Sequence, residues 1–89
     1  MYKIKDYSYK KARELSLDIK PSKKTGKKID IYKNGEYLTS IGSIKHKDYP
    51  TYVLENGKTY ADERKRLYHM RHKKDLKYLR GGLASKILW

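Results

Sequence analysis

The most regular exchange of hydrophobic and polar residues lies on either side of Asn34-Gly35. Segments 27–33 and 36–41 alternate apolar with polar side chains, which is typical of half-buried strands. Asn-Gly favours the two-residue turn in which both central residues have positive φ. The pattern therefore predicts a β-hairpin.

This turn also predicts the register of the hairpin. The expected cross-strand pairs are Tyr32 with Tyr37, Ile31 with Leu38, and Asp30 with Thr39. One face then carries Ile29, Ile31 and Leu38, and the other carries Lys28, Tyr32 and Tyr37. Because one face of a small antiparallel sheet is buried, we expect the aliphatic face to meet the core.

Before the hairpin, apolar residues recur at intervals of three over residues 7–15. This spacing predicts a short helix, for which Asp6 or Ser8 would supply the N-cap. Residues 16–20 alternate as a short strand would, and Pro21-Ser22 ends them. A second strand pair therefore extends the hairpin to three strands.

After the hairpin, Asp48 is the predicted cap of a two-turn helix that stops at Asn56-Gly57. A longer helix is predicted over residues 60–80, with Gly81-Gly82 as its break. The apolar tail, residues 83–89, suits a final turn that folds back over the core. The alternative is that it docks on another subunit.

Together these elements predict an α+β fold in one compact domain spanning residues 1–89. A small three-stranded antiparallel sheet would be covered by the short N-terminal helix and by the long amphipathic helix. The outward face of that helix is basic and carries Lys65, Arg66, His69, Lys73 and Lys77. Two i,i+4 ion pairs are expected along it, Asp62 with Arg66 and Arg71 with Asp75.

Charge changes this picture most. The chain has 23 Lys and Arg against 10 Asp and Glu, a formal net charge of +13 on 89 residues. Such a field attracts polyanions, so nucleic acid is the first expected partner. Lysine outnumbers arginine 18 to 5. Since lysine is a flexible point charge, contacts with the phosphate backbone are favoured over base reading.

The candidate nucleic-acid-binding residues lie around the hairpin and along the predicted helix. They are Lys23, Lys24, Lys27, Lys28, Tyr32, Tyr37, Lys65, Arg66, His69, Lys73, Lys74 and Lys77. The two tyrosines could stack on bases or pack against a backbone. The alternative is that they are a cross-strand pair that only stabilises the hairpin.

The sequence gives little support for a catalytic or metal-binding site. It contains no cysteine, and its three histidines lack the neighbouring ligands of a metal site. A Gly-rich phosphate loop, a nucleophile elbow and clustered carboxylates are all missing. We therefore expect neither an enzyme nor a cofactor or bound metal. A small metal-dependent nuclease is the third hypothesis for the function.

The apolar stretches of the chain bear on where the protein is located in the cell. No run approaches the roughly 18 apolar residues of a membrane span, and the first residues lack the apolar core of a secretory signal. These features predict an intracellular, soluble protein. A homodimer or another protein partner would use the tail, through Leu83, Ile87, Leu88 and Trp89.

Five phrases in order, MYKIKDYSYKKARELSLDIKPS, GKKIDIYKNGEYLTSIGSI, DYPTY, YADERKRLYHMRHKKD and LASKILW, resemble a family of short basic proteins. Large nucleocytoplasmic DNA viruses, the giant viruses of algae and amoebae, encode this family. Its function is uncharacterised, so the resemblance brings no site residues.

The resemblance implies a viral protein that is made in the infected host cell, in the viral factory or nucleus. Packaging in the virion is a further option. With the charge, it makes a genome-associated architectural protein the leading expectation. The alternative is a minor structural protein of the virion that binds acidic capsid or membrane surfaces.

Overall fold

The computed structural model describes residues 2–74 and 77–89 in full, and the backbone alone of residues 75 and 76. It has a three-stranded antiparallel sheet in the order β1-β2-β3, together with helices before and after it. The strands are β1 Asp18–Pro21, β2 Lys27–Lys33 and β3 Glu36–Ser43. The helices are α1 Asp6–Glu14, α2 Tyr49–Asn56, α3 Lys58–Arg71, a 3₁₀ turn Lys73–Lys77 and α4 Leu79–Ile87. The predicted α+β class is confirmed.

The hairpin turn is the predicted one. Asn34 and Gly35 both have positive φ, 52° and 82°, and Tyr32 lies opposite Tyr37. Beyond that pair the expected register is wrong, because a β-bulge inserts Leu38 as an extra residue in β3. The observed pairs are Ile31 with Thr39, Asp30 with Ser40 and Ile29 with Ile41.

The bulge also changes which residues share the core face. Ile41 joins Ile29 and Ile31, and these three are fully buried. Leu38 is partly buried and packs against the same core, as predicted. Their face packs against α1 through Ala12 and against the C-terminal segment through Ile87 and Leu88, both at most 1% exposed. The prediction that the tail covers the core is therefore confirmed.

The predicted extent of the long helix is wrong. It ends at Arg71, and Gly81-Gly82 lies inside α4 rather than in a break. The reversal comes earlier, through the 3₁₀ turn and the extended backbone of Tyr78. Without that reversal the last residues could not return to the sheet, where Ile87 and Leu88 bury their side chains.

The basic helix α3 packs on α2, and α1 and α4 are the helices that lie against the sheet. The helix start predicted at Asp48 is confirmed, since its carboxylate accepts a hydrogen bond of 3.0 Å from the backbone N–H of Thr51. Gly57, with φ of 88°, ends α2 as predicted and leads directly into α3. Within the described part of the chain, no helix combines the length and apolar character that a bilayer crossing requires.

Candidate functional site

One basic surface surrounds the tyrosine pair of the hairpin. We define the hairpin surface as Lys20, Lys23, Lys24, Tyr32 and Tyr37. Lys27, also predicted to contact phosphate, lies on the opposite face of β2, together with Ile29, and is not part of this surface. The two rings meet edge to face, with centroids 5.8 Å apart. The ammonium of Lys20 lies 5.3 Å from the ring centre of Tyr32, and that of Lys24 lies 4.7 Å from Tyr37. Each tyrosine therefore carries a lysine at cation–π distance.

A buried carboxylate lies beneath this pair. Asp30, 5% exposed, accepts hydrogen bonds from the hydroxyls of Ser22 and Ser40 and from the backbone N–H of Lys23. Burial raises the pKa of Asp30, but these hydrogen bonds outweigh it and hold the pKa below its usual range. The Asp30 carboxylate is therefore already hydrogen-bonded to groups of this chain.

The same hydrogen bonds extend to the surface, because the Tyr37 hydroxyl lies 2.7 Å from Ser40 Oγ. The nearby Lys24 ammonium and the hydrogen bond with Ser40 lower the pKa of the Tyr37 phenol. Two exposed carboxylates, Asp18 and Glu36, lie on the neighbouring strand ends. The three lysines of the hairpin surface outnumber these two exposed carboxylates.

Lys28, predicted to contact phosphate, is not on this surface. It is 4% exposed, and its ammonium donates to Asp48 Oδ2 at 2.9 Å and to the carbonyl of His46. The Tyr2 hydroxyl also donates to Asp48, at 2.6 Å. The prediction is wrong because alternation along β2 could not show that the loop before α2 returns to cover Lys28.

The pKa values around this ion pair follow from its burial and its hydrogen bonds. Burial raises the pKa of Asp48, but hydrogen bonds from Tyr2, Lys28 and Thr51 hold it below its usual range. Burial and the bond to Asp48 raise the pKa of the Tyr2 phenol well above its ordinary value. Asp48 is therefore ionised and fully engaged within the fold.

The predicted basic face of the long helix is divided. Lys65, half-buried, lies with its ammonium 5.0 Å from the ring centre of Tyr49. Arg66 pairs with Glu63 rather than with Asp62, and Asp62 pairs with Lys58 at 2.8 Å. The expected Asp62–Arg66 pair is wrong.

His69 and the lysines that follow it are also separated. His69 is half-buried, and burial, then Lys65 and His72, lowers its pKa. The other predicted residues, Lys73, Lys74 and Lys77, lie exposed on the 3₁₀ turn and not on α3. The continuous basic stripe is therefore wrong, because the helix that would carry it ends at Arg71.

A second basic surface is concave. A groove of about 710 Å³ lies between the β3–α2 loop, α3 and α4. We call it the arginine groove, because Arg64, Arg71 and Arg80 line it. Lys28, Lys45, Lys47, His46 and His72 also line it, and in the described part of the chain no Asp or Glu side chain does.

Two of the groove's cations, Lys28 and Lys47, have carboxylate partners outside the groove, Asp48 and Glu55. Among residues 2–74 and 77–89 the four ion pairs involve Lys28, Lys47, Lys58 and Arg66. Among the described side chains, none of the three groove arginines takes part in an ion pair. The expected partner of Arg71, the side chain of Asp75, lies outside the described residues.

Stacked rings form one wall of the groove. Trp89 and Tyr68 are parallel, 8° apart with centroids at 4.3 Å, and His72 stacks on Tyr68, also at 4.3 Å. The guanidinium of Arg64 lies 5.5 Å from the ring centre of Tyr52. Its buried Nε finds no hydrogen-bond partner within the described structure.

Sequence reasoning missed this groove. Arg64 and Arg71, seven residues apart, share a helix face, but from the sequence Arg71 is expected only to form an ion pair with Asp75. Arg80 reaches the same place only because the chain reverses at the 3₁₀ turn. The spacing of 64 and 71 was the one available signal.

The tail does not offer the predicted partner interface. Ile87 and Leu88 are buried in the core of their own chain, so they cannot also bind a second protein while the fold is intact. Leu83 and Trp89 are half-buried, and the Trp89 carbonyl accepts a hydrogen bond of 2.9 Å from the Tyr7 hydroxyl. The tail is part of the fold.

In the described residues, no group of three His, Asp or Glu side chains is placed to hold a metal ion. Comparison of the chain with family models, curated proteins and solved structures finds no match. The resemblance to giant-virus proteins therefore stays a prediction.

Proposed function

We propose that this protein binds nucleic acid, duplex DNA above all, through the phosphate backbone and with little dependence on base sequence. The observation that carries the proposal is the hairpin surface, where two tyrosines hold lysine ammonium groups over their rings. The nearest buried carboxylate, Asp30, is already bound by Ser22 and Ser40.

The composition of this surface supports backbone contact rather than base reading. Its cations are all lysines, which neutralise phosphates as point charges but lack the planar fork that reads guanine. Each phosphate contact releases counterions, so the affinity should be strongly salt-dependent. The exposed edge of Tyr37, 43% exposed, can pack against sugar or a splayed base.

In a large DNA virus, which the sequence resemblance implies, such a protein would lower the electrostatic cost of packing the genome. It would act where the genome is replicated or packaged, in the viral factory, the nucleus or the virion. The lysines of the hairpin surface would supply this charge neutralisation.

The test is fluorescence anisotropy with duplex DNA, single-stranded DNA and duplex RNA at several salt concentrations. The variant Lys20→Ala/Lys23→Ala/Lys24→Ala removes three charges from the hairpin surface. We expect it to weaken duplex binding and to reduce the slope of log affinity against log salt by about 0.9 for each phosphate that the variant no longer neutralises.

The matched control is Lys3→Ala/Lys10→Ala/Lys86→Ala, which removes the same charge from exposed positions outside the hairpin surface. If both triple variants weaken binding equally, overall charge and not the hairpin surface is responsible. Failure of the unaltered protein to bind any of the three nucleic acids at low salt would overturn the proposal. It would favour an acidic capsid or membrane surface as the partner.

A further inference from the structure

We propose that the arginine groove is a second, separate site, which binds a nucleotide carrying a phosphate monoester. The phosphate would be held by Arg64, Arg71 and Arg80, and the base would stack on an aromatic side chain of the groove. The ligand is either a free nucleotide or the phosphorylated end of a nucleic-acid strand.

The charges of the groove favour an anionic ligand. Three guanidinium groups converge on one concavity in which no described carboxylate side chain lies, and their mutual repulsion is strongest where water is displaced. Arg64 also has an unfilled hydrogen-bonding position: it is half-buried, and its Nε has no hydrogen-bond partner among described atoms. A ligand oxygen would satisfy it.

The choice of arginine narrows the anion to a phosphate or carboxylate, because the planar fork binds both through paired hydrogen bonds. Of the five arginines in the chain, three line this groove. A terminal phosphate carries close to two negative charges and three accepting oxygens. It therefore matches several converging guanidinium groups better than a single carboxylate does.

The aromatic side chains of the groove further limit which class of ligand fits. Tyr52, Tyr68 and Trp89 line the groove beside the arginines, but Tyr68 already stacks on Trp89 and His72. Tyr78, which also lines the groove, is 62% exposed, with the Lys77 ammonium 5.8 Å from its ring centre. A nucleobase can stack on such a ring, so Tyr78 is the assigned base-stacking residue.

Shape distinguishes this site from the hairpin surface. A volume of about 710 Å³ falls within the range of about 300–1,000 Å³ of small-ligand pockets. A concave site of this size suits one nucleotide, whereas the outer surface of a duplex is convex. Binding here does not rest on the proposal for the hairpin surface, and the two can fail separately.

Trp89, the sole tryptophan, reports on the groove through its fluorescence. The protein is titrated with AMP, adenosine and inorganic phosphate, and with one short single-stranded oligonucleotide with and without a 5′-phosphate. We expect AMP to bind about tenfold or more tightly than either adenosine or phosphate alone. If the strand end is the natural source, the phosphorylated oligonucleotide exceeds its unphosphorylated form by a similar factor and AMP competes with it.

The variant Arg71→Ala/Arg80→Ala removes two exposed guanidinium groups and should abolish the preference for the phosphorylated ligand. Arg71→Lys/Arg80→Lys keeps the charge and should restore only part of it. Tyr78→Ala should lower the affinity for AMP but not for inorganic phosphate. Arg13→Ala, an exposed arginine on α1 that does not line the groove, is the matched control.

Equal binding of phosphorylated and unphosphorylated ligands would overturn the proposal. So would full retention of AMP affinity, read by phosphorus NMR, in the double alanine variant. A phosphoserine peptide that binds as tightly as AMP would show that the groove recognises phosphate without a base, which overturns the nucleotide assignment. The hairpin triple variant should bind AMP normally, so loss of duplex binding and loss of AMP binding can be told apart.

Discussion

The hairpin surface and the arginine groove are both cationic, but they are built from different materials. The hairpin surface takes its lysines and tyrosines from three neighbouring strands and the loop between β1 and β2. The arginine groove takes guanidinium groups from two helices that the chain brings together. A net charge of +13 describes neither. What distinguishes them is the type of cation and the curvature on which it lies.

A buried ion pair connects the two regions. Lys28 lies on β2 of the hairpin and also lines the groove, and its partner Asp48 caps α2. The Tyr2 hydroxyl closes the same cluster from the N-terminal segment. Altering this pair should therefore disturb both surfaces at once, and alterations elsewhere should disturb one.

The largest effect is expected from Lys28→Met. It removes the cation and leaves Asp48, whose side chain is 1% exposed, as a buried charge without its partner. Breaking a buried pair in this way costs about 3–5 kcal/mol. Urea unfolding, followed by circular dichroism, measures the loss.

Two further variants define that result. Lys47→Met breaks the exposed pair with Glu55 and should cost far less, because solvent screens that pair. Adding Asp48→Asn to Lys28→Met removes the stranded charge and should recover part of the loss. If Lys28→Met and Lys47→Met are equally mild, the buried pair does not hold the two regions together.

The hairpin was predictable from the sequence because its determinants are local. Asn34-Gly35 dictates the turn, and Asp48 dictates the start of α2, through interactions spanning only a few residues. The bulge at Leu38 was not predictable, since alternation alone assumes one residue opposite one. That single insertion places Ile41 opposite Ile29 on the core face.

The groove was not predictable because it depends on where the chain reverses. An uninterrupted helix over residues 60–80 would spread Arg71 and Arg80 along one rod. The 3₁₀ turn instead folds α4 back, and burial of Ile87 and Leu88 in the core stabilises that reversal. Tertiary burial thus outweighed the local helical pattern.

A second effect, smaller than that of Lys28→Met, tests the hairpin side alone. Asp30→Asn keeps the shape but weakens the hydrogen bonds from Ser22 and Ser40, at a cost of about 1–2 kcal/mol at neutral pH. The pKa of Asp30 is depressed in the fold, so the unfolded chain takes up its proton first in acid. The stabilisation is present above about pH 4 and is lost as the pH falls through the folded value.

We therefore expect the gap in unfolding free energy between the unaltered protein and Asp30→Asn to narrow below about pH 4. Urea titrations at a series of pH values measure this gap. A gap that stays constant with pH would mean that the Asp30 carboxylate does not carry the acid dependence. AMP binding at neutral pH should be the same in both proteins.

A third and smaller effect compares two glycines. Gly35 in the hairpin and Gly57 between α2 and α3 have φ of 82° and 88°, and a Cβ at either would meet no heavy atom within 4 Å. Alanine at either position should cost about 1 kcal/mol, from the backbone conformation alone. Only Gly35→Ala should also weaken duplex binding in the anisotropy assay. Equal weakening by both would show that loss of stability, not the hairpin surface, lowers the affinity.

The smallest effect is expected from Arg66→Ala. Arg66 is exposed on α3, but it forms an ion pair with Glu63, and its Nη1 lies 3.1 Å from Met70 Sδ. A cation engaged in this way adds little to the field that a phosphate meets, so duplex affinity should change by no more than about twofold. Lys24→Ala, measured beside it, should have the larger effect. If Arg66→Ala weakened binding tenfold, α3 itself would contact the nucleic acid, and the division between a flat lysine surface and a concave arginine site would no longer describe how this protein uses its charge.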